Sequence, residues 1–232
     1  MLNQTLVCYL RRHALASMID ADLARGGDRV LPAAPQLMPR LPGRVGFCLA
    51  LLAALLLVAS QSPALAQADA WTLLRQPGHV VFMRHAATPG GFGDPPRYRL
   101  DDCASQRNLT DAGRAQARRT GEAFRARGLA FDRVLSSPWC RCMETAKLLT
   151  ERDAEPMDAL SNLVGRTEHR EQQVAALRAY LAGLGSDTRV LFSTHGIVIN
   201  ALAGINPAEG EMVIVKVGAG GEPSVAGRLR VE

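Results

Sequence analysis

Four side chains suited to phosphate chemistry stand where short apolar segments of the sequence end. Arg84 and His85 close the segment HVVFMRH, His195 closes RVLFSTH, and Arg141 follows shortly after a third segment, 132–136. A guanidinium group can hold two oxygens of a phosphate dianion, and an imidazole placed against phosphorus can attack it in line. If these side chains converge, the sequence predicts a pocket that binds phosphate and transfers it through a phosphohistidine.

The segments that carry these residues predict buried strands. Segments 79–85, 132–136 and 189–195 are rich in apolar and β-branched residues, and a helical pattern follows each of them. Alternation of strands and helices is typical of an α/β sandwich with a largely parallel sheet. Because ligands bind at the carboxyl ends of the strands in open α/β sheets, we expect the four side chains to meet at that edge.

Helices are predicted between these strands. An Ala-rich stretch predicts a helix over about 108–127, with Thr110 or Asp111 as its N-cap. Ser137, followed by Pro, predicts the start of a second helix, in which the Ser137 hydroxyl is the cap and Arg141 lies in the first turn. Three further elements are predicted: a helix over 167–184, a short helix after His195, and a terminal hairpin of EMVIVKV and SVAGRLRV.

The amino-terminal region has the layout of an export signal. Residues 45–59, VGFCLALLAALLLVA, form an uncharged apolar run that follows two arginines and precedes small residues ending at Ala66. This run is shorter than the roughly 20 residues that a spanning helix needs. We expect a signal peptide at 38–66, cleaved after Ala66, and an upstream leader at 1–37 that would be absent if Met38 is the true start. A membrane anchor at 45–59 is the alternative.

Residues 67–232 are expected to form one catalytic domain, because the chain is long enough for one ordinary core. Most of the formal charge of +5 lies ahead of it: residues 1–66 hold six Arg and three acids, and the remainder holds 21 Lys or Arg and 19 acids. This near balance argues against a nucleic-acid partner. We expect contact with a membrane only through the signal segment.

Export would place the three cysteines of this domain in an oxidising compartment, which permits one disulfide and one thiol. We expect Cys103 to pair with Cys140 or with Cys142, and three unpaired thiols remain the alternative. Cys140 and Cys142 are not expected to pair with each other on a helix. A zinc site is disfavoured because no second Cys or His pair has the spacing of zinc ligands.

Four segments of the sequence resemble the motifs of the histidine phosphatase superfamily, also called phosphoglycerate mutase-like. VVFMRHAAT is similar to its Arg-His-Gly strand end with a following Thr, through Arg84, His85 and Thr88, and Ala86 replaces the usual Gly. The resemblance covers about 79–204, and the segments stand in the family's order. The other matched positions are Leu109, Thr110, Gly113, Gln116 and Ala117 in NLTDAGRAQA, Arg141 in SSPWCRCMETA, and His195 in FSTHG.

This resemblance implies a fold and a division of roles. The fold is a three-layer α/β sandwich with a largely parallel central sheet flanked by helices. His85 is the implied nucleophile, Arg84, Arg141 and His195 are implied to bind the phosphoryl group, and Thr88 is implied to line the site. The implied reaction needs no cofactor and no metal.

One position departs from the family's pattern in a way that bears on the chemistry. Many members carry a Glu that protonates the leaving group, and alignment on Leu160 and Gly165 places Asn162 there. An amide cannot deliver a proton. Glu168 is the nearest substitute as proton donor, and Asp94 is a further candidate; without one, the leaving group must depart easily or take its proton from solvent.

These observations predict an exported, metal-independent phosphatase of the periplasm or the secreted fraction. The expected substrate is a phosphomonoester, or a phosphoamidate of the phosphohistidine type, carried by a small molecule or by the cell envelope. The alternative is a weakly active or inactive module that binds a phosphorylated ligand of the envelope, which Ala86 and the missing Glu motivate.

Overall fold

A six-stranded sheet organises residues 70–232, the part of the chain that this computed structural model describes. The leader, the signal peptide, its cleavage site and the apolar run expected within residues 1–66 lie outside the described residues. Within the described part, no helix combines the length and the apolar character that crossing a bilayer requires.

Strands and helices alternate along most of the chain. The strands are β1 (His79–Arg84), β2 (Arg133–Ser136), β3 (Glu155–Pro156), β4 (Val190–Thr194), β5 (Met212–Val217) and β6 (Pro223–Leu229). The helices are α1 (Asp111–Arg125), α2 (Cys140–Thr150), α3 (Arg170–Ala182) and α4 (Gly196–Ala203). The helix predicted over 167–184 is divided into a 3-10 turn, Thr167–His169, and α3.

Four of the six strands run parallel. The spatial order is β3-β2-β4-β1-β5-β6; the strands from β3 to β1 are parallel, and β5 and β6 are antiparallel to their neighbours. The three predicted internal strands correspond to β1, β2 and β4, and the predicted terminal hairpin to β5 and β6. The largely parallel sheet is therefore confirmed, whereas β3 is too short to leave a pattern in the sequence.

The two faces of the sheet are covered by different helices. Side chains alternate between the faces along a strand. Val81 and Met83 of β1 accordingly pack into one core with α1 and α2, and Val80 and Phe82 pack into a second core with α3 and α4. This arrangement confirms the three-layer α/β sandwich.

The helix starts agree with the sequence in one case and depart from it in another. Thr110 caps α1, since its Oγ1 accepts a hydrogen bond of 3.0 Å from the N–H of Gly113. The predicted cap of α2 is wrong, because α2 begins only at Cys140 and has no side-chain cap. Ser137 instead places its hydroxyl oxygen 2.9 Å from Nε2 of His195.

The first turn of α1 lies directly against the chain that leaves β1. The N–H of Thr110 donates to the carbonyl of Ala87 at 3.0 Å, and a Cβ added at Gly113 would lie 2.1 Å from the same oxygen. A residue without a side chain is required at such a close approach. This contact fixes the path of the chain immediately after His85.

A disulfide joins the segment ahead of α1 to the start of α2. Cys103 and Cys140 are bonded with their Cα atoms 5.7 Å apart, and Cys142 is a buried free thiol. Of the pairings that the sequence left open, the structure has Cys103 with Cys140. The bridge lies next to Arg141 in the sequence, so it restrains the backbone that carries this arginine.

Removing this disulfide is expected to destabilise the fold. The bonded cysteines are 37 residues apart, and a crosslink closing a loop of this length stabilises by about 4 kcal/mol by restricting the unfolded chain. We therefore expect dithiothreitol to lower the Tm by about 10 °C in scanning calorimetry. The Cys103→Ser, Cys140→Ser double variant is the control, because its Tm should not respond to the reductant. A reduced wild type with an unchanged Tm would contradict the prediction.

Candidate active site

Parallel pairing brings the predicted residues to one edge of the sheet. In the register of β1 with β4, Arg84 lies opposite Thr194, so His85 and His195 leave adjacent strands at the same level. Their rings are 5.6 Å apart between centroids, at an angle of 69°. Arg141, the second residue of α2, reaches this edge from the helix that follows β2.

His85 is buried and held in one tautomer. Its Nδ1 lies 2.9 Å from the carbonyl oxygen of Ala86, so Nδ1 carries the proton and donates it, which leaves a lone pair on Nε2. Burial, together with the charges of Arg141 and Arg84, lowers the pKa of His85 from 6.5 to about 4. The imidazole is therefore neutral at pH 7, the state that a nucleophile requires.

Ala86 occupies the position where the sequence departs from the family's Gly. It is fully buried, its N–H donates to Oγ1 of Thr145 at 3.0 Å, and its carbonyl orients His85. Its φ lies outside the left-handed region that favours glycine. A methyl side chain is therefore compatible with the backbone at this position.

His195 is also buried and neutral. A guanidinium group is a donor only, so the 3.4 Å contact from Nη2 of Arg141 makes Nδ1 of His195 the acceptor. Its Nε2 then carries the proton and donates to the hydroxyl of Ser137 at 2.9 Å. Burial lowers the pKa of His195 well below its usual value, and the charge of Arg141 adds to this effect.

Arg141 is held from behind by a carboxylate. Its Nη1 donates to Oδ1 of Asp94 at 2.6 Å and its Nη2 to Oδ2 at 3.1 Å, and the two side chains are 1% and 2% exposed. Its Nε is buried and contacts no acceptor among residues 70–232. The carboxylate thus takes the end of the guanidinium group and leaves the Nε–H unused.

Arg84 is oriented in the same manner. Its Nη1 donates to the carbonyl of Pro207 at 3.0 Å, its Nη2 lies 3.4 Å from Oε1 of Glu209, and its buried Nε has no acceptor in the described part of the chain. Glu209 also accepts hydrogen bonds from the hydroxyl and the backbone N–H of Thr88, at 2.7 and 3.2 Å. Thr88 is therefore bonded to Glu209, and it does not line the cavity described next.

Arg107 is a third arginine of this site, and the sequence reasoning missed it. Its Nη1 donates to the carbonyl of Gly91, and its buried Nε has no acceptor within the described residues. Burial and the neighbouring charge of Arg141 lower its pKa. In the sequence, Arg107 directly precedes Asn108, the first residue of the NLTDAGRAQA segment that resembles a family motif. This position is the feature from which Arg107 could have been predicted.

These side chains surround a cavity of about 340 Å³ at the carboxyl edge of the sheet. Three guanidinium groups with unused Nε–H donors and two neutral imidazoles meet there, which is an arrangement suited to an oxyanion with several oxygens. Asn162, at the position where the resemblance places an acid, also contributes to the wall. The charged, imidazole and amide side chains of the wall include Arg84, His85, Arg107, Arg141, Asn162 and His195.

Neither carboxylic acid proposed from the sequence is placed to donate a proton. Glu168 has a side chain that is 65% exposed, is paired with His169 at 3.3 Å, and does not line the cavity. Burial alone would raise the pKa of Asp94, but the hydrogen bonds and the charge of Arg141 outweigh it and hold that pKa below its usual value. Asp94 is therefore a bound carboxylate at neutral pH.

The buried imidazoles predict a loss of stability in acid. Between pH 6.5 and about pH 4, the unfolded chain binds a proton at His85 that the folded chain does not, so the free energy of unfolding falls as the pH is lowered through this interval. For His85 the expected loss between pH 7 and pH 4.5 is about 2 to 3 kcal/mol, measured by urea unfolding. The His85→Asn variant should lose less stability over the same interval, and an equal loss would show that His85 does not contribute.

Comparison with known proteins agrees with this reading of the site. Residues 80–168 match the model of the histidine phosphatase superfamily (branch 1), a segment that includes Arg84, His85, Arg107 and Arg141 and ends before His195. A 71-residue stretch is 34% identical to the mitochondrial serine/threonine-protein phosphatase Pgam5 of Drosophila virilis. That stretch is 31% of this chain and 22% of the relative, so the chain spans under a quarter of the relative's length.

Solved structures of phosphatases are similar to this chain over most of their own length. The protein histidine phosphatase SixA complexed with tungstate has a TM-score of 0.47 and 18% identity, covering 66% of this chain and 96% of that one. A phosphoserine phosphatase from Entamoeba histolytica, in complex with phosphoserine, has a TM-score of 0.47 and 13% identity, covering 65% and 95%. Residues 80–168 of this chain are therefore similar to the histidine phosphatase superfamily (branch 1).

Proposed function

We propose that this protein is an exported phosphatase that transfers a phosphoryl group to His85 and then to water. One observation carries the proposal: Arg84, Arg107 and Arg141 line one cavity together with His85, whose Nε2 has a free lone pair, and the Nε of each arginine is buried without an acceptor in the described chain. Each buried donor left without an acceptor costs free energy. A phosphoryl group, with three oxygens, would supply these acceptors.

In the first proposed step, Nε2 of His85 attacks phosphorus. A bond forms between nitrogen and phosphorus, the bond from phosphorus to the leaving group breaks, and the electron pair departs with the leaving group. Arg84, Arg107 and Arg141 stabilise the negative charge on the equatorial oxygens. In the second step, water attacks the phosphohistidine, its proton passes to solvent, and the nitrogen–phosphorus bond breaks to release inorganic phosphate.

The leaving group is proposed to depart without a proton from a carboxylic acid. Asn162 lines the cavity, and the carboxylates of Asp94 and Glu209 are bonded to Arg141 and Arg84. An amide can donate a hydrogen bond to a leaving oxygen or nitrogen, but it cannot transfer a proton. This favours a phosphomonoester with a stable leaving anion, or a phosphoamidate of the phosphohistidine type.

Two observations support export as the setting. The sequence has the apolar run and the small residues of a signal peptide ending near Ala66. The Cys103–Cys140 disulfide is of the kind that persists in the periplasm or outside the cell. Anchoring by residues 45–59 is the alternative that retains the same compartment.

A phosphoenzyme assay tests the proposed chemistry. With an aryl phosphate and EDTA in the buffer, we expect a burst of phenol release and an acid-labile phosphorylated protein, since the proposed steps use arginine charges and no metal ion. His85→Ala should abolish both signals while leaving a folded protein. A wild type that binds inorganic phosphate but turns over no faster than His85→Ala would instead identify a binding module.

Truncation of the buried arginine gives a second test. Arg141→Ala is expected to lower kcat/KM by roughly 100- to 1000-fold, since removing one donor to transition-state charge costs about 3 to 4 kcal/mol. Lys147→Ala removes an exposed cation from the same helix, whose partner is Asp153, and should leave kcat/KM unchanged. Near-normal kcat/KM in Arg141→Ala would exclude Arg141 from the reaction.

A further inference from the structure

We propose that Asp94 is a positioning residue, which acts through Arg141 and Arg107 to hold the phosphate-binding donors in place. This inference deepens the proposed function and rests on it. Asp94 belongs to the Gly/Pro loop, residues 89–96, and the sequence indicated it only as a candidate acid.

Every acceptor position of the Asp94 carboxylate is used. Oδ1 accepts from Nη1 of Arg141 at 2.6 Å and from the backbone N–H of Arg107 at 3.1 Å. Oδ2 accepts from Nη2 of Arg141 at 3.1 Å and from the indole Nε1 of Trp139 at 3.0 Å. Two donors on each oxygen saturate a carboxylate, so the side chain is fixed in position and in orientation.

The same contacts decide which N–H groups of Arg141 remain for a ligand. The bidentate pair with Asp94 occupies the end of the guanidinium group and fixes its plane. Nε then stays buried without an acceptor in the described chain, and Arg141 lines the cavity while Asp94 does not. Asp94 therefore stands behind the arginine, on the side away from the ligand.

Asp94 also ties the Gly/Pro loop to Arg107. It accepts from the backbone N–H of Arg107, while Nη1 of Arg107 donates to the carbonyl of Gly91 in the same loop. Gly91, Phe92 and Gly93 line the cavity. One carboxylate thus bonds both Arg107 and Arg141 and joins the Gly/Pro loop to them.

The energetics favour a positioning role over a catalytic one. Breaking a buried ion pair by removing one partner leaves the other charge uncompensated, and an unpaired Arg141 would then turn toward new acceptors. Burial opposes the ionised carboxylate, but Arg141 holds the pKa of Asp94 below its usual value. Asp94 consequently remains an anion across the neutral range and serves as a fixed counter-charge.

Substitution of Asp94 by its isosteric amide tests this inference. In Asp94→Asn the amide nitrogen cannot accept from Arg141, so we expect the Kd for inorganic phosphate to rise at least tenfold and kcat to fall at least tenfold. Both are measured at a temperature well below the Tm of the variant, by titration calorimetry and by aryl phosphate turnover. The control is Asp101→Asn, which removes an exposed carboxylate paired with Arg99 and should change neither quantity.

The possible outcomes separate this inference from the proposed function. In one outcome, Asp94→Asn differs from wild type only in a lower Tm, with its phosphate Kd and its kcat within twofold of the wild-type values. That result would show that Asp94 has only a structural role, and it would overturn the inference. Tighter phosphate binding in Asp94→Asn would also overturn it, because the carboxylate would then compete with the ligand. If the wild type binds phosphate without turnover, the proposed function fails, yet the phosphate Kd of Asp94→Asn still decides the role of Asp94.

A second variant covers the case in which Asp94→Asn does not fold. Trp139→Phe removes one donor to Oδ2 and keeps the Asp94–Arg141 pair. We expect it to raise the phosphate Kd severalfold, less than Asp94→Asn, because the carboxylate loses part of its orientation. An unchanged Kd in this variant would overturn the inference.

Discussion

The site depends on holding three guanidinium groups around one cavity against their mutual repulsion. Like charges at close range repel, and burial removes the hydration of Arg141 and part of the hydration of Arg84 and Arg107. The chain resolves this by giving the terminal nitrogens of each arginine a fixed protein partner: Asp94 for Arg141, Pro207 and Glu209 for Arg84, and Gly91 for Arg107. The Nε–H of each arginine has no acceptor in the described chain, and these contacts hold the three groups in place before any ligand arrives.

Much of this arrangement could be predicted from the sequence because it follows from strand ends. Arg84, His85 and His195 end or follow strands whose parallel pairing places them together, and Arg141 comes early in the helix after β2. Such residues can be found because an apolar strand segment ends at a polar residue, and because the carboxyl ends of parallel strands meet at one edge of a sheet, where ligands bind. The alternation of the strands likewise predicts the sandwich, since each face must be covered by its own helices.

The partners of these residues could not be predicted, because loops and long-range pairs place them. Asp94 and Arg141 are 47 residues apart, and Arg84 and Glu209 are 125 apart. No local pattern in a Gly- and Pro-rich loop indicates which way its one carboxylate turns. Ser137 illustrates the same limit, since a residue with the sequence preference of a helix cap is used to bind His195 instead.

The buried Cys142 lies beside the imidazole of His195 as a thiol that resists oxidation. Its sulfur lies 3.5 Å from Nε2 of His195, and burial raises the pKa of the thiol to about 12. Oxidants attack the thiolate, so this sulfur is protected from conversion to sulfenic or sulfinic acid although it lies beside the reactive centre. An imidazole does not undergo these sulfur oxidations, so the chemistry proposed for His85 would persist in surroundings that would inactivate a thiolate enzyme.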